Sequence, residues 1–192
     1  MSVEPRGARR NTEAAVLDAA AELLAEEGFQ KLTMEGVARR ARAGKATVYR
    51  WWPSRGHLLL ALYSRAKSQL VEPDRGDLAE DLADYLGQML AQLNGEGGAE
   101  PLAPILRLLI AEAQADDAMR AALAAERAER WTQIGRIVER AKDRGQLNLA
   151  ISVHDAQQRV IAMMWYLVLN DSLPKSAEAG ELVRTLMVGL RG

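Results

Sequence analysis

The 192 residues predict an all-α fold of about nine helices, in which a three-helix helix-turn-helix domain precedes a larger C-terminal helical domain. Alanine and leucine are abundant and aromatic residues make up only 5% of the chain, a composition that favours helices. Apolar residues recur with the 3.6-residue period of an amphipathic helix. Capping residues, glycines and prolines divide the chain at intervals that suit helices.

The first segment, residues 1–11, is polar and basic and predicts a disordered arm. Its arginines could follow a DNA minor groove or could simply solubilise the tail. Thr12 is suited to cap a first helix, and Gly28 is suited to end it. Thr33 can cap a short second helix over residues 34–41.

A tight turn separates this second helix from a short third helix that begins at Lys45 and ends before Pro53. Ser54 can cap a fourth helix, which we expect to reach about Leu70. Two short helices joined by a three- or four-residue turn are typical of the helix-turn-helix. The sequence therefore predicts a DNA-binding unit over residues 12–56.

The remainder, residues 57–192, predicts a regulatory and dimerisation domain made of longer helices with polar joints. We expect a flexible loop at 95–98 and an irregular segment at 146–153. The helices after the fourth are expected at residues 77–94, 101–116, 117–144, 155–170 and 176–190.

Charge is unevenly distributed along the chain. Residues 1–60 hold ten Lys or Arg and seven Asp or Glu, a net charge of +3 in a chain whose net charge is −1. Residues 36–71 contain eight Lys or Arg and no acid. Such a stretch indicates either a polyanionic partner or a solvated surface, and the charge count alone leaves both open.

The segments 32–38 and 44–55, with Lys-Ala-Thr-Val-Tyr-Arg at 45–50, resemble the TetR family of bacterial repressors. The resemblance covers residues 12–62. It implies a sequence-specific, DNA-binding transcriptional regulator, a homodimer that a small-molecule effector releases from a palindromic operator in double-stranded DNA. The alternatives left open are a transcriptional activator and a helical adaptor that binds a protein partner.

The third helix carries residue types suited to a DNA groove. Lys45 and Arg50 can reach guanine edges or phosphates, and the Tyr49 hydroxyl can donate to a phosphate. Small side chains at Ala46 and Thr47 let the helix sit deep in the groove.

By the resemblance, Thr33 and Tyr49 grip phosphates and Arg55 anchors the next helix to the DNA backbone. Val48 and Trp52 lie on the opposite face and are expected in the core. The predicted DNA-binding residues are Thr33, Lys45, Ala46, Thr47, Tyr49, Arg50, Trp51 and Arg55.

Two positions depart from the family pattern. Arg42 stands where glycine is frequent, and a left-handed backbone there would cost an arginine roughly 1 kcal/mol. Either the turn is built differently or Gly44 absorbs the bend. Gly56 and His57 replace a frequent acidic residue near the start of the fourth helix.

The middle helices would enclose an effector pocket. Aromatic and methionine residues at helical spacing are more often plain core, and a glutamate such as Glu112 is more often solvated. The candidate lining residues are Tyr85, Met89, Ile105, Leu109, Glu112, Trp131, Ile134 and Trp165.

The last two helices are apolar on more than one face, which indicates a subunit interface in so small a domain. The resemblance implies the same, a four-helix bundle formed with the twin chain. The candidate interface residues are Ile161, Met164, Trp165, Val168, Leu182, Val183, Leu186, Met187 and Leu190.

Several function classes find no support in the sequence. The chain has no cysteine and two isolated histidines, so we expect no enzyme activity, no metal and no cofactor. The longest apolar run, residues 160–169, is too short for a membrane span, and no secretory signal is evident. We expect no membrane association and a cytoplasmic location.

Overall fold

The computed structural model describes residues 6–188, except for the side chains of residues 6–11 and Gln30. Within that range the protein is all-α, as predicted. Short 3-10 turns at Phe29–Lys31, Glu96–Gly98 and Ser176–Glu178 supplement the helices. The α-helices are α1 (Arg6–Glu27), α2 (Met34–Arg40), α3 (Lys45–Trp51), α4 (Arg55–Ala66), α5 (Leu78–Asn94), α6 (Leu102–Ala115), α7 (Asp117–Asp143), α8 (Val153–Leu169) and α9 (Ala179–Met187).

The first helix begins earlier than the sequence predicts. Helix α1 starts at Arg6, so residues 6–11 are helical rather than a disordered arm, and Thr12 lies inside the helix. Alanine and the arginines in this stretch favour a helix, and Gly7 is its least favourable residue for a helix. Residues 1–5 of the expected arm lie outside the described part of the chain.

Other helix ends follow local capping chemistry. The Thr33 hydroxyl accepts a hydrogen bond from the Gly36 amide at 3.0 Å, and Ser54 caps α4. Gly28 adopts a φ of 76° after α1, a conformation that glycine tolerates best. Ser152 caps α8, which therefore begins two residues before the expected start at residue 155.

The N-terminal domain packs α1 against α2 and α4, with α3 against α2. Val48 and Trp52 are buried in this core, as their positions opposite the exposed face of α3 predict. The Arg40 guanidinium on α2 bonds the Glu26 carboxylate on α1 at 2.7 Å. Helix α2 therefore has a fixed position on the domain.

Helix α4 ends at Ala66, four residues before the expected end at Leu70. Lys67 is extended, and its ammonium bonds the Glu126 carboxylate on α7. Gln88 on α5 bonds both the amide and the carbonyl of Val71. These partners are distant in sequence, and they replace the hydrogen bonds that a longer helix would make.

In the C-terminal domain, α5 packs against α9 and α7, and α7 packs against α6 and α8. Helix α4 also packs against α6 and α7, so it belongs to both domains. The buried Asp81 carboxylate bonds the Arg144 guanidinium at 3.2 Å and the Arg75 amide at 2.7 Å, which satisfies its charge.

Candidate nucleic-acid interface and internal pocket

The turn between α2 and α3 is held by Arg42, whose φ of 53° lies in the left-handed region. Gly44 has a φ of −68° and a ψ of 135°, so it does not absorb the bend. Backbone hydrogen bonds from Arg42 to Arg39 and from Ala43 to Ala38 close the turn, at 3.2 Å and 2.9 Å. The arginine therefore adopts the strained conformation where the family often has glycine.

Helix α3 presents a polar face to solvent. Lys45, Ala46, Tyr49 and Arg50 are exposed, and Thr47 is half-buried. The sequence prediction placed these side chains on one accessible face, and the structure brings them together there. A seven-residue helix with small residues in its first turn has the shape needed to enter a major groove.

Glu35, which the sequence prediction did not include, lies against this face. Its carboxylate accepts a hydrogen bond from the Tyr49 hydroxyl at 3.2 Å and lies 3.8 Å from the Lys45 ammonium. Its own backbone amide, with a smaller contribution from the Tyr49 hydroxyl, holds the pKa of this carboxyl below its usual value. Glu35 is therefore ionised at neutral pH beside two groups expected to contact DNA.

The eight cations of the basic stretch divide into two groups. Five lie within ion-pair distance of carboxylates on other helices, Lys45 beside Glu35 on the exposed face of α3 and four that join other elements: Arg40, Arg55, Arg65 and Lys67. Arg39, Arg42 and Arg50 are exposed and have no ion pair within the described residues. The first two were missed as candidate site residues, although the run without acids already contained them.

Arg55 was expected to anchor α4 to DNA. Its guanidinium lies 2.8 Å from the Glu112 carboxylate on α6 and 4.1 Å from the centre of the Phe29 ring. A Cβ at Gly56 would come within 3.0 Å of the Met119 sulfur, so close packing against α7 accounts for the glycine there. The start of α4 is thus fixed to both domains.

The remaining two predicted DNA-binding residues are Trp51 and Thr33. Trp51 is half-buried, and its ring meets that of Trp52 edge-on at 5.6 Å. Thr33 is exposed, and its hydroxyl accepts the capping hydrogen bond while its proton stays available to a further acceptor.

A largely apolar pocket lies between α4, α5, α6, α7 and α8. Its empty space is about 530 Å³ when the open mouth is included. Met89, Trp131, Ile134 and Trp165 line it, as the sequence analysis anticipated. The other lining residues are Tyr63, Leu93, Leu106, Arg127, Arg130, Ile161, Met164 and Val168.

Four candidate pocket residues lie elsewhere. The buried Tyr85 hydroxyl donates to the Gln133 side chain at 2.7 Å inside the core. Leu109 is buried and Ile105 is half-buried, and neither contacts the pocket. Glu112 pairs with Arg55 at the other end of α4. Helical spacing placed these residues on inward faces but could not separate core from cavity.

Most of the candidate interface residues are interior. Burial within the chain itself removes Ile161, Met164, Val168, Val183 and Met187 from the surface, because α8 and α9 each use one apolar face to cover α5 to α7. Leu190 lies outside the described residues.

The most exposed large apolar side chains of α8 were not among the interface candidates. Tyr166 is 65% exposed and Leu169 is 53% exposed. Trp165, Leu182 and Leu186, which were interface candidates, are half-buried. The α8 residues that face outward are thus neighbours of the expected set on the same helix.

Among the described residues, no group of three or more histidine, aspartate or glutamate side chains is placed to hold a metal ion. None of the described helices combines the length and apolar character needed to cross a membrane.

Two family descriptions match the two parts of the chain. Residues 16–62 match "Bacterial regulatory proteins, tetR family", and residues 72–186 match "Tetracyclin repressor-like, C-terminal domain". The first match ends inside α4, and the second begins in the segment after it.

Curated relatives carry similar names. An uncharacterized HTH-type transcriptional regulator of Mycobacterium tuberculosis, Rv1556, is 31% identical over 167 residues, which cover 86% of this chain and 78% of that protein. The HTH-type transcriptional repressor KstR of Mycolicibacterium smegmatis is 31% identical over 97 residues, covering 50% and 48% of the two chains.

Solved structures share the whole architecture. The TetR family transcription regulator SCO0332 is similar with a TM-score of 0.66 and 29% identity, covering 95% of this chain and all of that one. FadR of Bacillus subtilis, solved with stearoyl-CoA, has a TM-score of 0.68 at 18% identity, covering 93% and 99%.

Proposed function

Because the chain belongs to the TetR family of DNA-binding transcriptional regulators, we propose that it is a homodimeric repressor that a small-molecule effector releases from a palindromic operator. The observation that carries the proposal is the exposed polar face of α3, set on the closed turn at Arg42. The proposed role requires no catalytic step.

In the proposed complex, α3 lies in the major groove and α2 crosses the backbone. Lys45, Thr47 and Arg50 read base edges, and Thr33 and Tyr49 contact phosphates. The unpaired cations Arg39 and Arg42 flank the turn and add phosphate contacts. Glu35 must then release Tyr49 and Lys45 when the phosphates arrive.

Helix α4 is the proposed link between effector and DNA. Its Tyr63 lines the pocket, and Arg55, two turns earlier, packs on Phe29 next to the DNA-binding helices. The whole helix is 12 residues, or about 18 Å, long. A ligand that moves α6 or α7 would therefore shift α4 and change the spacing of the two α3 helices in the dimer.

The resemblance to a protein solved with stearoyl-CoA supports a pocket of this kind in the C-terminal domain. Effector control is proposed on that basis and on the cavity itself. The ligand must bind the DNA-free form more tightly than the DNA-bound form, because only such a difference shifts the equilibrium.

The dimer is proposed to form through α8 and α9. Tyr166, Leu169 and Val188 are large, apolar and more than half exposed on or beside these helices. Two-fold symmetry would present two α3 helices to half-sites about 34–36 Å apart. That arrangement accounts for the expectation of a palindromic operator.

The test is selection of bound duplexes from a random DNA library at about 150 mM salt, a concentration at which non-specific binding is weak. We expect enrichment of a palindrome with one α3 footprint per half-site. A folded, dimeric protein that enriches no sequence, or that binds all duplexes alike, would contradict the proposal. In that case the adaptor hypothesis would gain support.

A further inference from the structure

Arg127 on α7 is a cation that lines the pocket. Its guanidinium lies 4.1 Å from the centre of the Trp165 ring and 5.6 Å from that of Trp131. Its Nε donates to the Leu123 carbonyl, whereas the buried Nη1 has no hydrogen-bond partner. Within the described chain, no carboxylate lies within ion-pair distance of it. Burial lowers the pKa of this guanidinium.

Arg130 places a second cation on the same face of α7, one turn later. It is only 6% exposed, lines the pocket, and donates to the Gln92 side chain at 2.5 Å. It also lacks a carboxylate partner among the described residues. Two arginines thus line one cavity without an ion-pair partner among the described residues, and the Glu126 carboxylate acts on Arg127 only through space.

None of the residues that line the pocket is acidic. The neighbouring carboxylate, that of Glu126, bonds the Lys67 ammonium at 2.5 Å and not Arg127. The rest of the lining is aliphatic, aromatic or methionine, apart from the Tyr63 phenol. The pocket therefore combines a mainly apolar lining with two cations from one helix.

A partly buried cation loses part of its hydration, which costs free energy. The cost is greater where one of its N–H donors also has no hydrogen-bond acceptor. An anion of matching shape restores both the charge balance and the missing hydrogen bond, and it does so with charge-assisted bonds. Neutral or cationic molecules of the same shape would leave Arg127 uncompensated. The chemistry of the pocket consequently discriminates by head-group charge.

We propose that the effector is an organic anion, a carboxylate or a phosphate monoester on an apolar body. The anionic group binds Arg127 and Arg130, and the apolar body lies along Trp131, Trp165 and Met164. This inference rests on the proposed role of the cavity as the effector site. It adds the class of ligand and the residues that recognise it.

The same site is connected to α4. Lys67, directly after α4, bonds both the side chain and the carbonyl of Glu126, the residue before Arg127. Tyr63 of α4 faces the pocket. An anion that draws Arg127 toward itself therefore acts on α4 through α7, which gives the bound charge a route to the DNA-binding domain.

The test is calorimetric titration of the full chain, without DNA, with four probes that share a ten-carbon tail: undecanoate, decyl phosphate, decanol and decylammonium. We expect at least one anion to bind about 10–100-fold more tightly than decanol, and decylammonium to bind more weakly still. The better anion identifies the head group. Decanol that binds as tightly as both anions, or anions that do not bind, would overturn the inference.

The matched variants are Arg127→Met and Arg120→Met. Arg120 lies on the same helix but is exposed, where it pairs with Asp117. Arg127→Met should lose the preference for the anion while it still binds decanol, which also reports that the pocket is folded. Arg120→Met should behave as the original protein, and an unchanged anion preference in Arg127→Met would refute the assignment.

Release of the selected duplex by the bound anion is a separate measurement. Anion binding without DNA release would leave the ligand class standing and would contradict effector control of DNA binding. Anion-driven release that Arg127→Met abolishes would support both.

Discussion

Arg42 is a single residue whose backbone decides how α3 is presented. The sequence indicated the cost of an arginine at this position but left open whether Gly44 absorbed the bend. Sequence could not decide, because the answer depends on where α2 ends and on the hydrogen bond from Ala43 to the Ala38 carbonyl. The structure puts the positive φ at Arg42 alone within this turn.

Arg42→Gly should raise the free energy of unfolding by about 0.5–1 kcal/mol, because glycine adopts a left-handed φ without the Cβ clash. Arg39→Gly is the control. Arg39 is exposed within α2, so a glycine there should lower the free energy of unfolding by about 1 kcal/mol. Urea unfolding of both variants gives the comparison. Destabilisation of the two variants by similar amounts would contradict the strain at Arg42.

Glu35→Gln should strengthen DNA binding about two- to fivefold, because it removes a negative charge near phosphate, breaks the ion pair with Lys45 and weakens the hydrogen bond from Tyr49. Glu100→Gln, between α5 and α6, removes an exposed acid elsewhere and should leave the affinity unchanged. Fluorescence anisotropy with the selected duplex measures both. Weaker binding by Glu35→Gln would mean that Glu35 positions these residues for DNA instead of restraining them.

At the level of elements, the helices themselves were predictable and their ends less so. Thr33, Ser54 and Gly28 act locally, so their capping roles could be predicted from sequence. The end of α4 depends on contacts across the fold, such as that between Lys67 and Glu126. The buried face of α8 could not be predicted from the sequence either, because a helix that is apolar all round does not reveal which face packs on its own domain.

The extended segment after α4 is held by arginines of α7, and this contact should depend on pH. The Arg136 guanidinium bonds the Glu72 carboxylate at 2.9 Å, and Arg140 bonds it as well, so the pKa of Glu72 lies below its usual 4.5. A lowered pKa stabilises the fold above pH 4.5, and this stabilisation is lost as the pH falls through the lower folded value.

Glu72→Gln should therefore lower the free energy of unfolding by about 1–2 kcal/mol at pH 7, with a difference that shrinks below pH 4.5. Glu139→Gln, an exposed change on α7, should show no such trend. Urea unfolding across this range provides the measurement. A difference between Glu72→Gln and the original protein that stays constant into acid would exclude the linkage.

For the whole molecule, the two-part architecture and the exposed polar face of α3 could be predicted, whereas the two arginines that line the pocket could not. Arg127 and Arg130 lie in a helix rich in charged residues, where most of the others face solvent or pair with acids. That these two arginines have no ion pair among the described residues is known only once α5, α7 and α8 are assembled around the pocket. Long-range geometry, not residue type, distinguishes them.

The proposed dimer predicts that Tyr166→Glu weakens self-association at least tenfold, because a charge replaces an exposed apolar side chain in the interface. Leu149→Glu makes the same kind of change at a 96% exposed residue between α7 and α8. It should leave association intact. Sedimentation of both variants over a concentration series measures the dimer, and an unaffected Tyr166→Glu dimer would place the interface elsewhere.

Repeating the duplex selection with Lys45→Ala, Thr47→Ala and Arg50→Ala tests whether α3 reads DNA sequence. We expect the palindrome to persist and the preference at defined base pairs in each half-site to be lost, at a cost of about 1–3 kcal/mol per contact. If all three variants keep the original preferences at every position and only bind more weakly, α3 contacts the DNA backbone alone and does not read sequence.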